Sequence, residues 1–97
     1  MKSLDEIRKI LKQQKDFLKE KYKVKNIAIF GSYVRGEQKK TSDIDILVDF
    51  YETPDFLTFL EFERFLEELL GIKVDLVRKP ALRKEIRERV LQEAQMI

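Results

Sequence analysis

The sequence predicts a two-layer α/β fold, a small sheet with helices packed mainly on one of its faces. Three observations predict it. Short apolar runs stand at 26–30 ("NIAIF"), 43–50 ("DIDILVDF") and 72–77 ("IKVDLV"). The longer stretches around them carry apolar residues at helical rather than alternating spacing. No repeat or low-complexity linker interrupts the series, and helices interleaved with a few strands pack as layers on one core.

Residues 3 to 22 read as one amphipathic helix. Ser3 can cap it, with Glu6 completing a capping box, and Leu4, Ile7, Ile10, Leu11, Phe17 and Leu18 form its apolar side. "NIAIF" is a buried strand ending at Gly31, and Ser32 can begin a helical turn. In the second strand Ile44, Ile46, Val48 and Phe50 share one face and Asp43 and Asp45 the other, because side chains alternate along a strand. "TPDFLTFLEFERFLEELLG" reads as a long helix with Thr53 as cap, Pro54 at its first position and Gly71 as terminator. Its expected stripe is Phe56, Phe59, Leu60, Leu66, Leu69 and Leu70. The third strand puts Ile72, Val74 and Leu76 on one face and Asp75 on the other. Pro80 begins a last helix whose Leu82, Ile86, Val90 and Ala94 lie four apart.

Composition narrows the function. The 97 residues suit one domain, 1–97, and the 43% hydrophobic content is ordinary for a folded chain. No apolar run approaches bilayer-spanning length and no N-terminal signal pattern is present, so no membrane association and a cytoplasmic location are expected. The lack of cysteine excludes disulfides and thiolate metal sites, and the lack of histidine removes the commonest general base and zinc ligand. Any metal must then be a hard cation held by carboxylates, magnesium or manganese. Twenty basic against eighteen acidic residues, interleaved, leave a formal charge of +2, which is no strong nucleic-acid signature. The basic runs "KEKYKVK" and "RKPALRK" read first as solvated surface.

The segment "GSYVRGEQKKTSDIDILVDF" (31–50) carries the candidate chemistry. Glycine lets a backbone approach a ligand, and a serine beside the free N–H groups of a helix start can hold phosphate; a Gly-Ser pair after a strand is also a common turn. Asp43 and Asp45 on one face repel each other, by about 4 kcal/mol at 4 Å and an effective dielectric near 20, though a solvent-facing strand start tolerates such a pair. Asp75 changes the balance. It is flanked by apolar residues, and if its strand pairs beside the second, three carboxylates converge on one sheet face. Protons or cations must then compensate, and a divalent ion shared with substrate phosphates suits that need.

Gly31-Ser32, ten intervening residues, Asp43-Ile-Asp45 and a later lone Asp75 on a strand resemble the nucleotidyltransferase superfamily of polymerase β-like folds. The form "GSYVRGEQKKTSDIDILV" is similar to the minimal nucleotidyltransferases, a resemblance covering nearly the whole chain. Many are antitoxins of the MntA type, encoded beside a HEPN-domain ribonuclease toxin of the HepT type. The resemblance implies transfer of AMP from ATP to a tyrosine of that toxin, with two magnesium ions (manganese an alternative) held by Asp43, Asp45 and Asp75. Asp75 would bind the ion nearest the attacking hydroxyl and help deprotonate it. Gly31 and Ser32 would hold the β- and γ-phosphates. Arg35 would contact phosphate or brace the loop, and Ser42, counted with Gly31, Ser32 and Arg35 among the nucleotide-binding residues, would more readily hydrogen-bond the backbone ahead of the strand. Gly36 also falls at the family's spacing, whereas Val34 stands where alanine is frequent. A different reading is an idle module of this fold that neutralises its partner by binding alone. A third, a nucleic-acid regulator using Lys21, Lys23 and Lys25, requires strongly salt-dependent DNA binding.

Overall fold

The computed structural model describes residues 2–97. Ser3 opens the first helix, α1 (Leu4–Gln13), with the expected capping box. The Glu6 amide donates to Ser3 Oγ (3.2 Å) and the Ser3 amide to Glu6 Oε1 (3.4 Å). Ser3→Ala is expected to cost about 1 kcal/mol, measured as a lowered midpoint in urea unfolding without a change in slope. The expected single helix is in fact two, because α1 ends at Gln14 and α2 runs Lys15–Tyr22. No glycine or proline marks the break. It lets Ile7 and Leu11 on one segment, and Leu18 and Tyr22 on the other, bury in one common core.

Strand β1 (Val24–Phe30) is longer than its apolar run predicts and carries a register irregularity between Val24 and Asn26. Gly31 turns it into the short helix α3 (Ser32–Arg35), as the Gly-Ser pair suggested. Strand β2 (Ile44–Phe50) returns antiparallel to β1, leaving Asp43 just ahead of the strand. Helix α4 (Phe56–Leu70) is capped by Asp55, whose carboxylate accepts from the Thr58 amide (2.8 Å), and not by Thr53. Gly71 ends it at φ +66°. Strand β3 (Val74–Arg78) pairs parallel to β2. Pro80 lies in a 3₁₀ turn, Lys79–Ala81, and the last helix, α5, starts later, at Lys84, and runs to Glu93. A two-residue strand, β4 (Gln95–Met96), which no pattern in the sequence announces, pairs antiparallel to β1.

The sheet order is β3-β2-β1-β4. One face carries Ile27, Ile29, Ile44, Ile46, Val48 and Val74 against α1, α2 and α4. Phe62 is fully buried there, its ring stacked on Tyr22 at 4.9 Å and edge-on to Phe50 at 5.9 Å. The stripe expected on α4 is rotated accordingly: Phe62, Leu66 and Leu70 are buried, whereas Phe56 is 72% exposed. The opposite face holds a smaller cluster, Ala28, Phe30, Leu47, Leu82 and Val90, formed where α5 crosses it. This second face is therefore only partly covered, and the acidic residues lie on its open part. β3 is an edge strand whose Val74 amide is met by the Glu67 carboxylate of α4 (3.0 Å), so part of its outer edge is closed to other strands. No helix among the described residues is long and apolar enough to cross a membrane.

Candidate active site

Parallel pairing of β2 with β3 sets Asp45 directly beside Asp75, so two of the expected acids share a face on adjacent strands. Antiparallel pairing sets Asp45 opposite Phe30, the last residue of β1, which places the Gly31 turn against the same carboxylate. Asp43 is exposed at the mouth of β2, and Asp45 is half-buried. Burial, then the neighbouring Asp75 carboxylate, then Asp43, push the Asp45 carboxyl up to about 6, with Arg35 opposing. Asp45 thus stands electrostatically between the other two acids. Among the described residues no three acids close around one ion-sized space. Asp43 also lines an open cleft of about 990 Å³ with Lys2, Tyr33, Lys40 and Lys73.

Gly31 is held in a conformation reserved for glycine, φ +79° and ψ −151°. A Cβ there would overlap the Asp45 carboxylate. The carbonyl of Gly31 accepts from the Val34 and Arg35 amides, which leaves Ser32 and Tyr33 as the first residues of α3 with their N–H groups outside the helical pattern. Ser42 Oγ accepts from the Lys39 amide (2.8 Å) and closes the loop ahead of β2, the backbone role of the two expected for it. Arg35 braces the loop through carboxylates, donating from Nε to Glu37 (2.9 Å) and from Nη1 to Glu93 (2.7 Å).

Two site neighbours are invisible in the sequence pattern. Glu93, at the end of α5, accepts from the Gly31 amide (2.8 Å) as well as from Arg35. Burial disfavours its charge, but Arg35 and the Gly31 amide outweigh this and hold its carboxyl below the usual range. Glu63 of α4 is pushed up by burial, by Glu67 and by Asp75. Neither position has a local signal, because each meets the site only through tertiary folding.

A glycine turn pressed on a carboxylate, with further acids on either side, is an arrangement for handling phosphate beside cations. The chain belongs to the nucleotidyltransferase domain family, whose model matches residues 11–97. It is 53% identical over 93 residues to the protein adenylyltransferase MntA of Thermococcus cleftensis, covering 96% of this chain and 94% of that one. Among solved structures, it superposes on a toxin–antitoxin crystal structure with AMP-PNP at a TM-score of 0.72 and 31% identity, covering 93% of this chain and 70% of that one. It also superposes on a complex of tri-AMPylated Shewanella oneidensis HEPN toxin with its MNT antitoxin, at TM-score 0.63 and 28% identity, over 93% and 66% of the two chains. The polymerase β-like minimal nucleotidyltransferase fold expected from the motif is therefore borne out, and the chain is a nucleotidyltransferase acting on a nucleotide.

Proposed function

We propose that this chain, as one minimal nucleotidyltransferase domain in the cytoplasm, is an antitoxin that transfers AMP from ATP to a tyrosine of a HEPN-type toxin and so silences it. The observation that carries the reading is the in-register pair Asp45 and Asp75 beside the Gly31 turn. The names of its relatives and the AMPylated toxin in a neighbouring complex support the choice of donor and acceptor.

In the reaction, the tyrosine oxygen attacks the α-phosphorus and forms the new P–O bond. The bond from that phosphorus to the α,β-bridging oxygen breaks, and pyrophosphate leaves with the electron pair. Gly31 and Ser32 would hold the β- and γ-phosphates through the N–H groups at the start of α3 and the serine hydroxyl. Asp75, on the open edge strand, would receive the proton from the attacking hydroxyl. Asp43, Asp45 and Asp75 are all hard oxygen donors, and the upward push on Asp45 is the repulsion that a cation would relieve, so the set fits magnesium. Magnesium takes one or two carboxylates and fills its remaining positions with water and phosphate oxygens, so the three acids need not enclose it. Two such ions, when bound, lower the pKa of the attacking hydroxyl and neutralise charge on the triphosphate.

The test is mass spectrometry of the toxin encoded beside this chain after incubation with the chain, ATP and magnesium. Additions of AMP on tyrosine are expected, and they should disappear with Asp43→Asn. Neutralisation of the toxin without any adduct, undiminished by Asp43→Asn, would instead establish inhibition by binding alone.

A further inference from the structure

Glu93 joins two parts of the site that the sequence separates by 62 and 58 positions. One carboxylate oxygen accepts from the Gly31 amide at 2.8 Å and the other from Arg35 Nη1 at 2.7 Å. Its side chain is only 16% exposed, against 46% for Arg35. Gly31 is thereby gripped from two directions, by the Asp45 carboxylate packed against its Cα and by Glu93 on its N–H. Such a grip matters because glycine is the most conformationally free residue, and the Val34 and Arg35 amides hold only its carbonyl, leaving its N–H to Glu93. Glu93 is itself held in place. It is the last residue of α5, Val90 of that helix is buried against the sheet, and β4 follows at once and pairs with β1.

We propose that Glu93 is a positioning residue for the nucleotide, fixing the Gly31-Ser32 turn and aiming Arg35 toward the phosphates, so that the C-terminal helix is part of the nucleotide site. This rests on the reading of Gly31-Ser32 as the phosphate cradle. Of the four side-chain hydrogen bonds that Arg35 and Gly31 make here, the two to Glu37 both come from Arg35 Nε, one of them long at 3.4 Å, and Glu37 is 56% exposed and does not bond to Gly31. Glu37 therefore serves as the comparison.

The experiment measures ATP affinity by calorimetry, and KM for ATP and kcat in the transfer assay, for wild type, Glu93→Ala, Glu93→Gln and Glu37→Ala. Glu93→Ala is expected to weaken ATP binding and raise KM for ATP on the order of tenfold, with a smaller change in kcat and none in KM for the acceptor. Glu93→Gln keeps an oxygen for the Gly31 amide and is expected to recover part of the affinity; it also serves if the alanine variant unfolds. Glu37→Ala is expected to stay within about twofold. A separate readout is the Gly31 amide proton resonance, which should shift in both Glu93 variants before any nucleotide is added. Unchanged ATP affinity in both Glu93 variants overturns the proposal. Tighter ATP binding also overturns it, because Glu93 would then be competing with phosphate for the same amide. If wild type binds no nucleotide while the Gly31 resonance behaves as expected, the contact stands, but both the phosphate-cradle reading and the positioning role fall.

Discussion

Asp45→Asn is expected to abolish AMP transfer while making the nucleotide-free, magnesium-free protein more stable. The loss follows from removing the central acid of the site, and roughly a thousandfold or more in kcat/KM is expected, about 4 kcal/mol of transition-state stabilisation. The gain follows from its environment. The Asp45 carboxyl is pushed from 3.8 to about 6 by burial and by its acidic neighbours, so the folded chain binds a proton there more readily than the unfolded one. Its favourable share of stability is complete below about pH 4 and is lost as pH rises through about 6. The full shift corresponds to about 3 kcal/mol, and solvent screening of a half-exposed group reduces this to about 1–2 kcal/mol. Asparagine has no proton to lose, so denaturant unfolding in chelator should show a flatter pH profile and a more stable variant near neutral pH. Magnesium should raise the melting temperature of wild type and leave the variant nearly unmoved. A variant that is less stable than wild type at neutral pH would mean that Asp45 is held by favourable contacts rather than by repulsion.

Gly31→Ala is expected to be the most damaging single change in the turn. The residue sits at φ +79° and ψ −151°, and an added Cβ would overlap the Asp45 carboxylate and lie 2.9 Å from its Cγ. Backbone strain of about 1–3 kcal/mol adds to the cost of displacing a side chain fixed on a central strand. A total of roughly 2–4 kcal/mol of lost stability is expected, together with loss of transfer, since relief requires Asp45 to move. Gly36→Ala separates the two contributions. Gly36 is also left-handed, at φ +73°, but a Cβ there meets nothing within 4 Å. It should cost only the backbone strain, about 1 kcal/mol. Equal destabilisation by both variants would show that the Asp45 contact carries no weight.

What could be read in advance divides along the chain's own range of contacts. Gly31, Ser32, Asp43 and Asp45 lie within fifteen residues, and the spacing of a turn and a strand places them with little help from the rest of the molecule. Asp75 was legible because a charged residue between valine and leucine in a strand must face away from the core. Glu93 was not, since its partners lie at the far end of the sequence and its own helix periodicity runs through Val90 and Ala94. The break at Gln14 and the rotation of α4 toward Phe62 were hidden for a related reason. Phe62 lies between Tyr22 and Phe50, two rings from other elements, and no local count could choose it over Phe56. Asp55 displaced Thr53 as cap because the helix begins two residues later than the proline rule suggests. The two residues of β4 are too few to produce any alternation.

The parallel ladder that carries Asp75 lies at the rim of the sheet, with β2 its one strand neighbour among the described residues. A one-residue slip there would swing the acid through the sheet to the helix side, and rim strands are the first to fray. Warming should therefore silence the catalyst some degrees before the chain melts, so that the enzyme loses its chemistry while most of its architecture is still standing.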